Sequence, residues 1–398
     1  MKIAVFTKST TFHKGFGGFE TLNRALCEAL IKKGHKIVVY SPKKEFDLEM
    51  VEENGVIYKF IDCRFGDFKT LYSFSRDSWE NKSVEIFTAD HKEVKYDLVL
   101  GQSSWALPII KIKSTLGIKV ISILHGSKIG EYETQLRNVK SMKDLFFSVR
   151  NLPHVLRAFF KTQREFVHGS DKLVSVSNYV KKAIVEETFV SEDKITVIHN
   201  GVDEKKFENI DKEEKNIGDT VKLIFIGRVI RAKGIFILID ALSHLPNLNW
   251  NLNIVGEGES LKELKKIISQ KGFERRISFK GLLRYEGVIE ELSKSDIFVL
   301  PSMRVEGFPM TIIEAMFTAL PIIASDIGGN SDAVVNEETG YLVKPGKVSD
   351  LSEKLSMLIT DGSQRVFLGK NGRNKALNEF TIDKMIDKYE QIFKEVCK

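Results

Sequence analysis

Short apolar runs alternate along the chain with longer segments of helical period. Runs such as KIAVF at 2–6 and HKIVVY at 35–40 are rich in β-formers, whereas FETLNRALCEALIKKG at 19–34 repeats its apolar residues every three or four positions. Strands that alternate with helices in this way predict a parallel sheet covered by helices. Because the alternation continues to ITVIHNGV at 195–202, the first half of the chain is predicted to form one α/β domain.

A second series of the same kind follows a charged interruption. The stretch DEKKFENIDKEEKNIGDT is poor in apolar residues, and VKLIFIGRV at 221–229 then opens new strand and helix patterns. We therefore expect two doubly wound, Rossmann-like α/β domains that face each other across a cleft. A final helical pattern is free to pack back on the first domain. The predicted division is a first domain at 1–201, a linker at 202–218, a second domain at 219–378 and a C-terminal helix at 379–398.

The composition is that of a globular protein with two or three domains. The chain has 398 residues, 42% of them hydrophobic, and its formal net charge of +6 is too small to argue for a nucleic-acid partner. Cys27, Cys63 and Cys397 lie far apart without CxxC spacing, so neither a disulfide framework nor a zinc site is expected. No apolar run approaches the roughly 20 residues that span a bilayer. We expect a protein of the reducing cytoplasm.

Candidate ligand-binding residues follow the strands of the second half, where parallel sheets bind ligands beyond their carboxyl ends. Gly227 ends a predicted strand, and Arg228 and Lys233 follow it with cations that could clamp a pyrophosphate. Two solvated surface cations are the alternative. Gly256 and Gly258 end the next strand, either as a close approach to a ligand or as a tight turn.

The stretch VEGFPMTIIEAM combines two glutamates with a predicted helix start at Pro309. Glu306 would stand in the loop before the helix, and Glu314 about one and a half turns after Pro309. The amides of Gly307, Phe308 and the first helical turn would attract an anion. Two ordinary helix carboxylates, one of them favoured by the helix dipole, are the alternative.

In the first half, glycines and one histidine follow strands. Gly15, Gly17 and Gly18 precede a helix, where bare backbone N–H groups could approach phosphate or sugar oxygens, but the spacing is not GxGxxG. A glycine-rich turn without a ligand is equally compatible. His125 ends the strand ISIL and could hydrogen-bond a sugar or a phosphate, although a structural histidine is the more common case.

Together these stretches resemble the retaining glycosyltransferases of family 4, which have the two-domain GT-B fold. The resemblance covers the whole second half and more loosely the first, through GFGGFE, LHGS, VSVSNYVKK and VIHNGVD. The motifs that carry it are GR-x4-KG at 227–234, GEG at 256–258, FKGLL at 279–283 and EGFP-x4-E at 306–314.

The resemblance implies a nucleotide-diphosphate sugar donor held mainly by the second domain. Arg228 and Lys233 would bind the diphosphate, and Glu314 the ribose hydroxyls. Glu306 would hold the donor sugar and phosphate together with the backbone of Gly307, Phe308 and Pro309. The backbone around Leu283 would meet the base, Gly17 and Gly18 would close on the donor from the opposite domain, and His125 would lie near the transferred sugar. The residues that we predict to act in catalysis are His125, Glu306, Arg228 and Lys233.

The chemistry implied by the resemblance retains the anomeric configuration. The leaving phosphate would accept the acceptor's proton during front-face attack, so no protein nucleophile is required. No two aspartates are separated by one residue, so the DxD motif of metal-dependent glycosyltransferases is absent. Since cations and helix amides can replace a metal at the diphosphate, we predict metal independence and no cofactor.

A basic segment suggests where the acceptor is held. From Arg137 to Arg164 there are seven basic residues and one acidic residue, and a helical wheel separates a basic face from an apolar face that includes Val149 and Val167. Such a segment can lie on an anionic membrane; a helix packed on the core with a solvated basic face is the alternative. The residues of the predicted membrane or acceptor patch are Lys143, Phe147, Arg150, Arg157, Lys161 and Arg164.

We accordingly expect a transferase that adds a sugar to a saccharide or lipid-linked acceptor in cell-envelope or surface polysaccharide synthesis. It would be cytoplasmic, with a peripheral contact at the inner face of the cell membrane. Two competing functions use the same fold: a sugar-nucleotide epimerase, which would need acid and base residues at the sugar ring, and a binding protein without catalysis. The sequence leaves the sugar, the base and the acceptor open.

Overall fold

The computed structural model divides the chain into two compact units, each with its own parallel sheet. Unit 1 comprises 1–129, 151–201 and 382–398, and unit 2 comprises 130–150 and 202–381. Residues 130–150, which the sequence-based division counts in the first domain, are thus grouped with unit 2. The residues that the structure describes are 1–14, 17–43, 48–63, 78–137, 142, 146, 149–150, 152–153, 158–208 and 220–398.

The sheet of unit 1 has eight strands among the described residues, in the order β3-β4-β2-β1-β5-β6-β7-β8. All neighbours are parallel except β3 and β4. Its central strand is apolar on both faces because helices cover both, and Ile3, Val5 and Phe6 are fully buried. The strands are β1 (Lys2–Phe6), β2 (Lys36–Pro42), β3 (Met50–Glu53), β4 (Val56–Ile61), β5 (Leu98–Gln102), β6 (Lys119–Leu124), β7 (Lys172–Ser175) and β8 (Ile195–Val197).

The first helices connect these strands. Helix α1 begins after Gly17, whose N–H donates to the Glu20 carboxylate 2.9 Å away, and it buries Leu22, Leu26 and Leu30. A π-helical turn at Ala158–Gln163 and 3-10 turns at Ser103–Ala106 and Glu192–Lys194 complete the connections. The helices are α1 (Gly18–Lys32), α2 (Trp79–Val94), α3 (Leu107–Leu116), α4 (Lys128–Arg137), α5 (Arg164–Gly169) and α6 (Asn178–Thr188).

The sheet of unit 2 is entirely parallel and has the order β11-β10-β9-β12-β13-β14 within the described part of the chain. This is the doubly wound order in which the direction of winding reverses between two neighbouring central strands. Those strands are β9 and β12, so the loops that follow them form the switch point. The strands are β9 (Val221–Ile226), β10 (Trp250–Val255), β11 (Ile277–Gly281), β12 (Ile297–Leu300), β13 (Ile322–Ser325) and β14 (Gly340–Val343).

Helices cover both faces of this sheet. A short 3-10 turn at Glu204–Phe207 precedes β9. A second one, at Arg231–Lys233, lies between β9 and the first helix. The helices are α7 (Ile235–Ser243), α8 (Leu261–Gln270), α9 (Tyr285–Ser293), α10 (Met310–Phe317), α11 (Asn330–Ala333), α12 (Val348–Thr360) and α13 (Gly362–Glu379).

The last helix, α14 (Ile382–Val396), belongs to unit 1. It packs on α1 and buries Met385, Ile386 and Tyr389. Two polar contacts join it to the end of α1 and the start of β2: Lys33 Nζ lies 2.8 Å from Asp387 Oδ1, and His35 Nε2 lies 3.2 Å from Glu390 Oε1. The chain therefore returns to its first unit after unit 2 is complete.

Three strands are not among those that the sequence pattern predicts. β3 and β4 form a hairpin around Asn54 and Gly55, both with positive φ, and β3 exposes alternate residues, so it lacks the apolar run that the prediction relies on. β14 has only four residues. The predicted linker at 202–218 lies largely outside the described residues, whereas its described part, 202–208, belongs to unit 2.

Candidate active site

The switch point of unit 2 brings two predicted site residues together. Lys233 lies in the 3-10 turn after β9, and Glu306 in the loop after β12. Because β9 and β12 are neighbours, the two loops leave the same edge of the sheet side by side. Lys233 Nζ lies 2.7 Å from Glu306 Oε1.

Glu306 is held as a buried, ionised carboxylate. Its residue is 9% exposed, and Ser302 Oγ donates to the same Oε1 at 2.8 Å. Burial alone would raise the pKa of Glu306, but the charge and hydrogen bond of Lys233, the Ser302 hydroxyl and the charge of Arg304 together lower it below the ordinary value. Its backbone is fixed as well, because Gly329 N–H donates to Glu306 O at 2.7 Å. The carboxylate is therefore fixed in position and charge before any ligand arrives.

Glycines allow the site loops to pack against each other. Gly234 has φ +74°, and a Cβ there would lie 1.7 Å from the carbonyl oxygen of Pro301. A Cβ at Gly256 would lie 2.1 Å from Gly227 O, and one at Gly258 would lie 2.4 Å from the carbonyl oxygen of Val229. These glycines are thus explained by close backbone approach. Contact of Gly227 or Gly256 with a donor stays a prediction.

Arg228 is a cation that no other described residue binds through its side chain. Its side chain is exposed, and no hydrogen bond, ion pair or ring contact engages it in the described part of the chain. Arg231, three residues later, is instead paired with Glu263 and packs over the ring of Phe236. The loop after β9 therefore offers Lys233 and Arg228, but not Arg231, to an anion.

Helix α10 presents backbone donors at the same loop. Pro309 caps the helix in an extended conformation, in agreement with the predicted helix start. The N–H groups of Gly307, Met310 and Thr311 have no hydrogen-bond acceptor among the residues that the structure describes. Phe308 points away into the core, where its ring packs edge-on against Phe380 at 5.3 Å. Unpaired amides at a helix start form an anion-binding site.

Glu314, on α10, is a second buried carboxylate, 6% exposed. Burial raises its pKa to about 7, although a hydrogen bond from Tyr285 and the charge of Lys206 act in the opposite direction. The sequence pattern did not predict Tyr285, Lys206 or Ser302 as site residues. Nothing in their local sequence marks them, since each acts through a neighbour that only the fold supplies.

Leu283 lies in the loop between β11 and α9, beside Leu282. The two side chains are 36% and 69% exposed, which is uncommon for leucines next to a sheet. They offer an apolar surface at the carboxyl end of β11, as a base-binding loop requires.

Unit 1 holds the remaining predicted residues. Gly15 lies outside the described residues. The N–H of Gly17 already donates to the carboxylate of Glu20, which also accepts a hydrogen bond from Ser9 Oγ, and Gly18 is the first residue of α1. A phosphate or sugar would therefore have to compete with Glu20 for the Gly17 N–H.

His125 directly follows β6 and is half-buried. Its Nε2 lies 2.6 Å from Gln102 Oε1, and Gln102 Nε2 donates to Asn23 Oδ1 at 2.7 Å. The ring of Phe19 packs edge-on against the imidazole at 4.9 Å. Burial lowers the pKa of His125 to about 4, so the ring is neutral near pH 7.

The predicted membrane or acceptor patch is described only in part. Lys143, Phe147 and Arg157 lie outside the described residues. Arg150 and Lys161 are exposed, and the guanidinium of Arg164 lies 5.6 Å from the ring centre of Phe189, which is 79% exposed. The predicted apolar face is not uniformly buried, since Val167 is fully buried whereas Val149 is 59% exposed.

No three His, Cys, Asp or Glu side chains among the described residues cluster as ligands of a metal ion would. No helix there is long and apolar enough to cross a bilayer. Cys27 and Cys63 are buried thiols and Cys397 is an exposed one, none of them in a disulfide.

Two parallel-sheet α/β units, one with a lysine–glutamate pair and a helix N-terminus at its switch point, define the GT-B class of glycosyltransferases. Residues 16–206 match the family model Glycosyltransferase Family 4, and residues 206–375 match the model Glycosyl transferases group 1. The chain therefore belongs to the family 4, group 1 glycosyltransferases, and the predicted fold and family are confirmed.

Individual relatives agree with this assignment. The UDP-Gal:alpha-D-GlcNAc-diphosphoundecaprenol alpha-1,3-galactosyltransferase of Escherichia coli is 29% identical over 370 residues, which are 88% of this chain and 90% of that protein. Sucrose-phosphate synthase from Thermosynechococcus elongatus has the same fold, with a TM-score of 0.80 and 21% identity over 99% of this chain and 98% of that one. HepE of Anabaena, solved with UDP-glucose, gives a TM-score of 0.72 and 18% identity over 99% and 100%.

Proposed function

We propose that this glycosyltransferase moves a sugar from a UDP- or GDP-sugar to a saccharide or lipid-linked acceptor, with retention of anomeric configuration and without a metal ion. The observation that carries the proposal is the geometry at the switch point of unit 2. There the Lys233–Glu306 pair, the unengaged Arg228 and the open amides of α10 all follow the two neighbouring strands β9 and β12.

The site suits departure of a nucleoside diphosphate. When the bond between the anomeric carbon and the diphosphate oxygen breaks, negative charge grows on the phosphate and positive charge on the sugar. Lys233, Arg228 and the α10 amides would stabilise the first of these charges, because fixed positive groups lower the cost of negative charge that develops beside them. Their charge takes the place of a divalent cation.

Retention follows if the acceptor attacks from the face that the diphosphate leaves. The acceptor oxygen forms the new bond to the anomeric carbon, and its proton passes to an oxygen of the departing phosphate. No protein nucleophile takes part. Glu306 keeps Lys233 in place and accepts hydrogen bonds from sugar hydroxyls.

The relatives narrow the choice of substrates. HepE was solved with UDP-glucose, and the name of the Escherichia coli relative specifies a UDP-sugar donor and a diphosphoundecaprenol-linked acceptor. We therefore place UDP-sugars first among donors and a lipid-linked saccharide first among acceptors. Cell-envelope or surface polysaccharide synthesis is the corresponding pathway.

A lipid-linked acceptor implies contact with a membrane surface. In the basic segment Met142, Phe146 and Val149 are 81%, 65% and 59% exposed, close in sequence to the exposed Arg150. Exposed apolar side chains beside basic ones are the composition that binds an anionic bilayer peripherally.

Vesicle co-sedimentation tests this contact. The protein should sediment with vesicles that contain anionic phospholipid and not with neutral ones. Joint replacement of Arg150, Arg157 and Arg164 by serine should abolish sedimentation and leave donor hydrolysis unchanged. A control with serine at the exposed Lys262, Lys266 and Lys294 should sediment normally. Equal sedimentation with neutral and anionic vesicles would refute the contact.

The main experiment is a calorimetric and thermal-shift screen of UDP, GDP, ADP and their common sugar conjugates with EDTA present. Selective binding of one nucleoside diphosphate supports the donor site and identifies the base. Release of that diphosphate from the sugar conjugate, accelerated by an acceptor, distinguishes a transferase from an epimerase or a pure binding protein. Binding of none of these nucleotides would refute the proposal, and binding only after a divalent metal is added would refute metal independence.

A further inference from the structure

Three elements of unit 2 converge on the carboxylate of Glu314. Helix α10 carries Glu314 itself, helix α9 begins with Tyr285, and the 3-10 turn Glu204–Phe207 carries Lys206. These elements are far apart in sequence. Their convergence on one buried charge calls for an explanation, because a lone carboxylate at this position would be costly to bury.

The 3-10 turn is anchored to the helix that bears Glu314. Phe207 is 1% exposed and stacks on Phe317, one turn after Glu314, with ring centres 5.4 Å apart. Asp203 caps the turn by accepting a hydrogen bond from Lys205 N–H at 3.3 Å. The backbone that carries Lys206 is therefore fixed relative to α10.

Lys206 and Tyr285 contact each other as well as acting on Glu314. Lys206 Nζ lies 4.7 Å from the centre of the Tyr285 ring, in a cation–π arrangement. The Tyr285 hydroxyl lies next to the Glu314 carboxylate and favours its charged form, as does the charge of Lys206. The phenol stays protonated, because burial and the nearby charges of Glu314, Asp203 and Glu286 raise its pKa.

We propose that Tyr285 and Lys206 are positioning residues for donor binding, which orient the Glu314 carboxylate toward the ribose hydroxyls of the nucleotide sugar. The inference rests on the proposed function and on the predicted role of Glu314 in binding the ribose hydroxyls. A carboxylate has about four acceptor positions, so an interaction with the Tyr285 hydroxyl leaves acceptors for the two neighbouring ribose hydroxyls.

The position of Tyr285 in the chain supports this role. It follows the exposed Leu283 by two residues, so the loop that would meet the base leads directly into the residue that orients the ribose-binding carboxylate. A carboxylate fixed in this way should discriminate strongly against a sugar that lacks one hydroxyl, because its lone pairs would be left without a donor.

The variant Tyr285→Phe tests the proposal by removing only the hydroxyl. Affinity for UDP, or for the diphosphate that the wild type prefers, should fall about tenfold, the scale of a hydrogen bond to a charged group. The preference for the ribonucleotide over its 2′-deoxy analogue should shrink. The donor KM should rise with kcat little changed, as for loss of a ground-state contact.

The dependence of nucleotide affinity on pH shows whether Tyr285 and Lys206 act on Glu314 or only stabilise the fold. The Tyr285 hydrogen bond and the Lys206 charge both favour ionised Glu314, so either Tyr285→Phe or Lys206→Met should move the loss of affinity on acidification to higher pH. In a Glu314→Gln background, the added Tyr285→Phe change should leave the profile unmoved.

A matched control exists in the same unit. Tyr341 is buried, bonds Gln364 at 3.2 Å and has Lys354 Nζ 5.1 Å from its ring centre, but it faces another part of the fold. Tyr341→Phe should bind nucleotides like the wild type. The pH profile of its nucleotide affinity provides the reference, because protonation of the diphosphate itself affects all the variants equally.

This inference would be overturned if both Tyr285→Phe and Lys206→Met kept the wild-type affinity, the wild-type preference over the 2′-deoxy analogue and the wild-type pH profile. That result would leave the donor site intact. Failure of the wild type to bind any nucleoside diphosphate would overturn the proposed function and this inference together. The two failures are therefore distinguishable.

Discussion

Lys233 Nζ and Glu306 Oε1 lie 2.7 Å apart across 73 residues of sequence. The pair forms because the two central strands of unit 2 are neighbours and both end at the switch point. Lys233 favours the charged form of Glu306, and the pair fixes the position of the lysine at the proposed phosphate site before a donor binds.

Removal of that cation should impair the chemical step. We expect Lys233→Ala to lower turnover at least about a hundredfold, the scale of losing a transition-state stabiliser. Glu306→Ala should lose a comparable factor, since it removes the group that holds Lys233. Initial-rate kinetics with saturating donor measure the loss, and Lys294→Ala, which removes an exposed ion-paired lysine, serves as control. Near-normal rates in both site variants would remove the assignment.

Loss of Lys233 alone should destabilise the fold more than loss of both charges of the pair. Lys233→Met leaves the Glu306 carboxylate buried without its cation, although the Ser302 hydroxyl still bonds it. We expect urea unfolding to show a loss of about 2 to 3 kcal/mol. Adding Glu306→Gln to this variant removes the stranded charge and should restore most of the loss. A double variant no more stable than the single one would contradict this account.

Glu314 should make folding stability depend on pH in the neutral range. Its pKa rises from an ordinary 4.5 to about 7 on folding, so between these values the folded protein holds a proton that the unfolded chain has released. Stability should therefore decrease as pH rises through this window, by about 3 kcal/mol in total. Denaturant unfolding at several pH values measures the decrease, and Glu314→Gln should lack it. Parallel curves for the two proteins would show that Glu314 does not titrate there.

His125 should remain uncharged at every pH near neutrality. Burial lowers its pKa from 6.5 to about 4, so its ring proton resonances should not move between about pH 5.5 and 8. NMR measures this directly, and the missing signals in His125→Asn assign the ring. Since the unfolded chain binds the proton more readily, this group contributes stability that is lost as pH falls from 6.5 toward 4. A titration midpoint above about 6 would mean that the imidazole is better solvated than the structure places it.

Two glycines with nearly the same backbone conformation should differ in their tolerance of alanine. Gly234 and Gly272 have φ of +74° and +70°, but a Cβ at Gly234 meets the Pro301 carbonyl oxygen at 1.7 Å, whereas one at Gly272 meets nothing within 4 Å. Gly272→Ala should cost about 1 kcal/mol for the left-handed conformation alone. Gly234→Ala should cost about 3 kcal/mol or more, because the loop must also move. Thermal unfolding of both variants gives the comparison, and equal losses would argue against close loop packing.

Much of the fold could be predicted from the sequence, because parallel strands that are buried on both faces appear in it as continuous apolar runs. KIAVF and VKLIFI are such runs, and the residues after them identified the ligand-binding edge. β3 carries alternating exposed residues, and only the Asn54–Gly55 turn signals its hairpin. A pattern of apolar runs therefore misses edge strands that are half solvated.

The site was predictable only where its residues lie next to strand ends. Lys233 and Glu306 each follow a strand, and strand adjacency brings them together. Lys206 lies in a charged stretch that resembles a linker, and Tyr285 opens a helix without any local signal of function. Their role depends on the Phe207–Phe317 stack, a contact between residues 110 positions apart. No spacing rule in the sequence encodes such a contact.

The return of α14 to unit 1 has a consequence for biosynthesis. Residues 382–398 leave the ribosome after every residue of unit 2, yet the helix they contain covers α1 near the start of the chain. Until then the apolar side of α1 that α14 covers stays open. Unit 1 is therefore complete only once the last helix has been made, although most of its residues precede those of unit 2 in the chain.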